Sequence, residues 1–258
     1  MDFLTAVILG IVEGISEFLP ISSTGHLILT SHLLGLTPTE FLKSFEIAIQ
    51  GGAILSVVVL YWGKLLVNFE VIKRIVAAFI PTGVLGFALY KIIKGYLLGS
   101  NCVVLWSMLL GGIFIVAFEL WYRGKGGSAS ELTDISYKQS FLIGLFQAIA
   151  VIPGVSRAGA TIIGGLILGL RREVIVEFSF LLAVPTMLAA MGYDLLKNAP
   201  RFSPDQFHFL LVGFISSFVV ALLSIKFLLH FIRTHTFIPI GIYRIVFALS
   251  WFIFLMAS

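Results

Sequence analysis

Six apolar runs, near residues 41 to 62, 75 to 93, 102 to 122, 174 to 196, 206 to 231 and 238 to 257, each reach the roughly 20 residues that cross a hydrocarbon core as a helix. A chain of 258 residues carrying six such runs cannot fold around one water-excluding core, because lipid must be the solvent for most of its surface. With 59% hydrophobic and only 12% charged residues, the composition agrees. The expected fold is therefore an all-α integral membrane protein with six transmembrane helices.

Two further apolar stretches do not fit the spanning pattern, and they resemble one another. GIVEGISEFLPISSTGHLILTSHLLGL from Gly10 aligns with GLFQAIAVIPGVSRAGATIIGGLILGL from Gly144 at a constant offset of 134. Glu13 falls on Gln147, Ser22 on Ser156, Gly25 on Gly159 and Gly35 on Gly169, while Pro20 and Pro153 are out of step by one. In each stretch a Pro-Ser-Gly cluster breaks an apolar run that then resumes for about ten residues, too short to cross a bilayer. Irregular backbone at membrane depth is tolerated only inside protein or beside a wet cavity. The pattern predicts two re-entrant helical segments lining a common site. Three spanning helices separate them, an odd number, so the repeats are expected in inverted topology, over approximately 1–123 and 139–258. Both belong to one polytopic membrane domain, joined through the Gly/Ser-containing loop Gly124 to Ser130.

Charge supplies the orientation. One face collects Lys64, Lys73, Arg74, Arg123, Lys125, Lys138, Arg171, Arg172, Lys226 and Arg233; the other has Lys43, Lys91, Lys94, Lys197 and Arg201. The richer face is expected to be cytoplasmic, which leaves both termini and the entrance of the first broken segment outside. The net charge of +4 is scattered over these loops, so no nucleic-acid surface is expected. The first apolar stretch lacks a basic leader and carries two glutamates, so it is expected to persist in the mature protein. Cys102 is the single cysteine, which excludes an intrachain disulfide and a cysteine-cluster metal site.

The polar residues within the repeats point to phosphate chemistry. Glu13 and Glu17, four apart on a helix, present two carboxylates on one face, and a hard divalent cation (Mg2+ or Ca2+) would relieve their repulsion. Ser22, Ser23 and Thr24 supply hydroxyls, Gly25 lets the backbone approach a ligand, and His26 offers an acid, a base or a nucleophile just where a helix restarts. The second copy lacks the carboxylates and the histidine but brings Ser156, Thr161 and Arg157, whose planar fork of donors suits phosphate oxygens. Glu46, Gln50, Glu177, Asp194 and Arg244 are also polar within apolar runs, and for these a structural role is the stronger expectation. Pro81 and Pro185 read as kinks inside spanning helices.

The motifs EGISEFLPISSTGH (Glu13 to His26), PGVSRAGAT (Pro153 to Thr161) and EFSFLLAVP (Glu177 to Pro185) are similar to those of the bacterial undecaprenyl-diphosphate phosphatases of the bacitracin-resistance type, and the likeness covers essentially the whole chain. The resemblance implies removal of the terminal phosphate from undecaprenyl diphosphate, a long-chain isoprenyl diphosphate lipid, with a divalent cation required. The product is the monophosphate carrier for cell-wall precursors. It further implies a multi-pass protein of the bacterial inner (plasma) membrane whose site opens to the outer (periplasmic) face. Glu13 and Glu17 then belong to the acidic motif and metal, and Ser22, Ser23, Thr24 and His26 to the first polar loop. Ser156 and Arg157 belong to the second. Ser23, His26 and water all stand as candidate attackers. A polyprenyl-phosphate transporter or flippase is the alternative, since carriers also use inverted repeats with broken helices, and a purely structural membrane subunit ranks below it. A homodimer is compatible with the chain, although no residue pattern calls for one.

Overall fold

The structure, a computed structural model, describes residues 1–92, 100–122, 127, 129–198 and 204–257. Most of the Gly124 to Ser130 loop lies outside the described residues, as do Lys94, Arg123, Lys125 and Arg201 and the side chains of Lys91, Asp194 and Lys197.

The described chain is helical. The first half comprises α1 (Phe3–Ser16), α2 (Ser23–Leu33), α3 (Glu40–Leu66), α4 (Phe69–Ile92) and α5 (Asn101–Tyr122). The second comprises α6 (Tyr137–Ala148), α7 (Arg157–Ile167), α8 (Arg172–Asn198), α9 (Pro204–Phe231) and α10 (Ile238–Ala257). Six helices, α3, α4, α5, α8, α9 and α10, are long and apolar enough to cross a membrane, and they fall on the six runs expected. The apolar run expected from residue 75 belongs to a helix that starts earlier, at Phe69, with Lys73 and Arg74 held by Glu70 on its first turns. Large apolar side chains such as Phe87 and Ile253 face outward, which suits hydrocarbon rather than water. Pro81 and Pro185 lie inside α4 and α8 as expected, while α3 leaves helical dihedrals at Tyr61 (φ −120°, ψ 19°).

The short helices are short because the sequence stops them. The α1 helix opens on an Asp2 cap whose carboxylate accepts from the Thr5 N–H (2.8 Å), runs 14 residues, and breaks before Pro20. The α6 helix opens on a reciprocal cap between Ser136 and Gln139, runs 12 residues, and gives way to a 3-10 turn at Ile149–Val151 before Pro153. At about 1.5 Å per residue both are well short of a roughly 30 Å hydrocarbon core.

Packing is close where small residues permit it. The α1 helix lies on α9, where a Cβ added at Gly14 would stand 2.7 Å from the Ser217 carbonyl oxygen. The α6 helix lies on α4, where the Thr82 hydroxyl donates to the Gly144 carbonyl (2.8 Å) and the Gln147 amide to Thr82 (2.9 Å). The remaining large contacts are α5 on α10, α3 on α8 and α3 on α9. Glu119 ties three helix ends together: its carboxylate accepts from both guanidinium ends of Arg172 (2.5 and 3.0 Å) and from the Phe237 N–H (3.1 Å).

Candidate functional site

The two interrupted stretches meet. Helices α2 and α7 both begin at one cavity of about 180 Å3, lined by Glu17, Ser22, Ser23, Thr24 and Gln50 from the first half and by Ala150, Val155, Ser156, Arg157 and Met187 from the second. Two helix N-termini therefore meet at the same space, an arrangement that attracts anions. The volume holds several waters at about 30 Å3 each. It is large enough for a phosphoryl head.

The loop geometry follows from local chemistry. Ser22 precedes α2 at φ 76°, ψ 95°, a region that a residue with a Cβ rarely adopts, and its buried hydroxyl has no hydrogen-bond partner among the described residues. Its counterpart Ser156 caps α7 in the ordinary way, accepting from the Gly159 N–H (3.1 Å). Strain and an orphaned hydroxyl thus coincide at the first loop, while the second is relaxed.

At the cavity wall, the Ser23 hydroxyl donates to Glu17 Oε2 (2.7 Å), and Arg157 Nη2 donates to Glu17 Oε1 (3.0 Å). One carboxylate from the first repeat therefore holds a hydroxyl and a guanidinium, the latter from the second. Arg157 Nη1 donates to the Ser179 carbonyl (2.7 Å), the guanidinium faces the Phe18 ring, and its buried Nε–H has no partner among the described residues. Thr161 stands one turn behind: its hydroxyl hydrogen-bonds the Ser179 hydroxyl (2.6 Å), fixing the residue whose carbonyl receives Arg157. Gly25 sits where α2 presses on Met108 of α5, so a side chain there would collide.

Glu13 is fully buried against the Glu17 carboxylate, is not among the residues that line the cavity, and among the described residues no N–H or hydroxyl donor reaches either of its oxygens. Two neighbouring carboxylates are a hard-oxygen donor set of the kind that Mg2+ or Ca2+ takes, and of the two Glu17 is the one that reaches the cavity. Among the described residues, no group of three or more His, Cys, Asp or Glu comes together that could hold a metal by itself. The remaining ligands would have to come from substrate or water.

His26 does not line the cavity. Its Nδ1 lies 2.8 Å from the Ser22 carbonyl, which can only accept, so in the neutral ring Nδ1 carries the proton and Nε2 accepts from the Tyr243 hydroxyl (2.8 Å). The ring stacks on Phe247 and Tyr243 of α10. The other intramembrane polar residues scatter: Glu46 takes the Ser31 hydroxyl (3.1 Å), Glu177 pairs with Lys64 and does not line the cavity, and of this group Gln50 alone reaches it. Tyr243 and Ser179 are the participants that sequence reasoning passes over, since each acts through a neighbour more than twenty or two hundred residues distant in the chain. A tyrosine beside a lone membrane arginine is the one signal that could draw attention to α10.

A bundle of six candidate spans surrounding an anion-attracting cavity, with hydroxyl, carboxylate and guanidinium in hydrogen-bonded series, defines a multi-pass membrane protein with a polar site among its helices. The chain belongs to the bacitracin resistance protein BacA family, whose model matches residues 6–250. It is 54% identical to the undecaprenyl-diphosphatase of Aquifex aeolicus, over 97% of this chain and 98% of that one. It is 51% identical to the undecaprenyl-diphosphatase of Sulfurihydrogenibium sp. (98% and 99% covered) and 48% identical to that of Wolinella succinogenes (99% of both).

Proposed function

We propose that this chain is an undecaprenyl-diphosphatase, hydrolysing undecaprenyl diphosphate to undecaprenyl phosphate and inorganic phosphate, and so returning lipid carrier to cell-wall synthesis and giving bacitracin resistance. The observation that carries the reading is the Ser23–Glu17–Arg157 series at a cavity where two helices begin, in a chain about half identical to proteins of that name. A transporter would gain nothing from a hydroxyl held on a carboxylate.

In the mechanism, the terminal phosphoryl group lies between the N–H groups opening α2 and α7, with the free Arg157 Nε–H and the Ser22 and Thr24 hydroxyls toward its oxygens. Glu17 takes the Ser23 proton as Ser23 Oγ attacks phosphorus, the bond to the bridging oxygen breaks, and undecaprenyl phosphate leaves. Water then attacks the phosphoserine phosphorus, the bond to Ser23 Oγ breaks, Glu17 returns its proton to that oxygen, and the water's oxygen and hydrogens leave in inorganic phosphate. His26, with both nitrogens engaged outside the cavity, holds Ser22 in its strained conformation. Glu13 and Glu17 would hold a divalent cation, whose contribution when bound is to neutralise charge on the diphosphate. Phosphoryl transfer asks little more of a protein than such positioning and charge stabilisation.

The same reading takes α1–α2 and α6–α7 as segments that enter the bilayer and turn back, in two inverted repeats. Support comes from the helix contacts, which exchange under a swap of halves: α1 on α9 with α6 on α4, α3 on α9 with α8 on α4, and α5–α10 and α3–α8 with themselves. The Lys and Arg distribution supports a site open to the outer face of the inner membrane.

The test is phosphate release from undecaprenyl diphosphate by purified, monodisperse protein in detergent, with and without chelator. Release that stops with chelator and returns with Mg2+ or Ca2+ is expected. Absence of release from folded protein under every metal would overturn the hydrolase; release that ignores chelator would remove the cation alone.

A further inference from the structure

Arg244 is the largest fully buried side chain among the described residues, 2% exposed in the middle of α10. A guanidinium in that setting normally has a carboxylate partner. Its hydrogen bonds among the described residues go instead to main-chain carbonyls: Nη1 donates to Pro20 (3.0 Å), Nη2 to Gly154 (3.1 Å) and Ser107 (3.3 Å), and Nε to Met108 (3.3 Å). Two of these carbonyls lie on α5. The other two are the breaks themselves, and they are the same place in the two repeats, since 20 and 154 are 134 apart. Three residues beyond Pro20 stands Ser23, and three residues beyond Gly154 stands Arg157.

We propose that Arg244 is a positioning residue that clamps the two chain breaks to each other and to α5, setting the separation of Ser23 and Arg157 across the cavity. A break at membrane depth leaves carbonyls without helical partners, and lipid offers none. A single fork of five donors can reach carbonyls from three segments at once; a lysine ammonium, with three donors from one point, cannot. Gly154 is at φ 89° and is packed against Val104 of α5, so the second break has no room to drift away from this clamp. The preceding residue on α10 serves the first loop too, through the Tyr243 bond to His26. One turn of α10 therefore holds both halves of the site without lining it.

The kinetic half of the test rests on the phosphatase reading, and the exchange half does not. Full-length wild type, Arg244→Lys and Gly111→Ala are compared as monodisperse protein in detergent. Gly111→Ala leaves the arginine in place, but its Cβ would stand 2.5 Å from Arg244 Nη2 and displace the guanidinium, while alanine is the better helix former. Phosphate release from undecaprenyl diphosphate gives kcat and KM, and hydrogen exchange follows peptides over 17–26 and 151–158. Expected are a fall in kcat per folded molecule of about a hundredfold for Arg244→Lys, a fall in the same direction for Gly111→Ala, and a much smaller change in KM. Exchange is expected to rise in both breaks together while α3 and α9 keep their protection. Wild-type kcat in the folded variants would overturn the proposal, as would exchange rising at one break only or equally through α3 and α9. Should Arg244→Lys fail to fold, Gly111→Ala decides on the same readouts. An inactive wild type would refute the phosphatase reading, and the exchange pattern would still decide the clamp.

Discussion

Ser22 and Ser23 are adjacent and do opposite work. Ser22 is held at positive φ with an unpartnered hydroxyl, a conformation that costs about 1 to 3 kcal/mol for a residue with a Cβ. Ser22→Gly would relieve that strain. We expect its thermal midpoint to equal or exceed that of wild type while phosphate release falls about tenfold, the scale of one lost hydrogen bond to a charged group; a lower midpoint with full activity would contradict the strain argument. Ser23 instead has its hydroxyl directed onto Glu17. Phosphoenzyme trapped from labelled substrate is expected to be acid-stable and absent from Ser23→Ala. An acid-labile adduct would move the attack to His26, and no adduct in either protein would assign it to water. In the sequence Ser23, His26 and water carry equal weight, because what separates them is where the imidazole points. That depends on Tyr243, 217 residues away.

Among the elements, the spanning helices are legible in the sequence and the breaks only half so. Run length alone marks α3, α5 and α8 to α10, because twenty apolar residues have one comfortable conformation in lipid. The start of α4 is not legible by hydropathy, since its first turns carry Glu70, Lys73 and Arg74, which pair with one another at the helix end. The proline clusters announce where α1 and α6 stop, and the repeat announces that the two should be compared. What ties the ends of separate helices is hidden. Glu119 is the one charged residue in the apolar run 102 to 122, but nothing in the sequence says what it meets: it holds Arg172 at the start of α8 and the chain entering α10. Removing its charge leaves a partly buried guanidinium and a buried N–H without partner. Glu119→Ala is expected to destabilise the protein by about 3 kcal/mol, read as a lower midpoint in detergent-based thermal unfolding, with KM for the lipid unchanged in the protein that remains folded. An unaltered midpoint would show that these helix ends do not need their tie.

At the scale of the whole molecule, the offset of 134 residues is the feature from which the architecture descends. It marks two polar segments as one unit, and the cavity draws its lining from both. The division of labour is uneven: the first copy contributes carboxylate and hydroxyls, the second contributes Arg157, and Gln147 in place of Glu13 hydrogen-bonds Thr82 and Thr186 instead of facing another carboxylate. The result is a site in which opposite charges arrive from opposite halves of the chain. The lone arginines are conspicuous in the sequence for the same physical reason that makes them important, the expense of a cation in lipid. Which of them faces a ligand and which faces backbone is decided by the fold: Arg157 lines the cavity, and Arg244 is turned to carbonyls.

The claim that the two repeats build one phosphatase site is tested most directly by a double-mutant cycle on phosphate release from undecaprenyl diphosphate, with Glu17→Gln, Arg157→Ala and the pair, each verified as folded. Residues that act as a unit lose most of their effect at the first removal. Each single variant is expected to lose on the order of 10³ in kcat/KM, and the pair little more than either. Losses that multiply, or a single variant retaining wild-type release, would contradict a shared site.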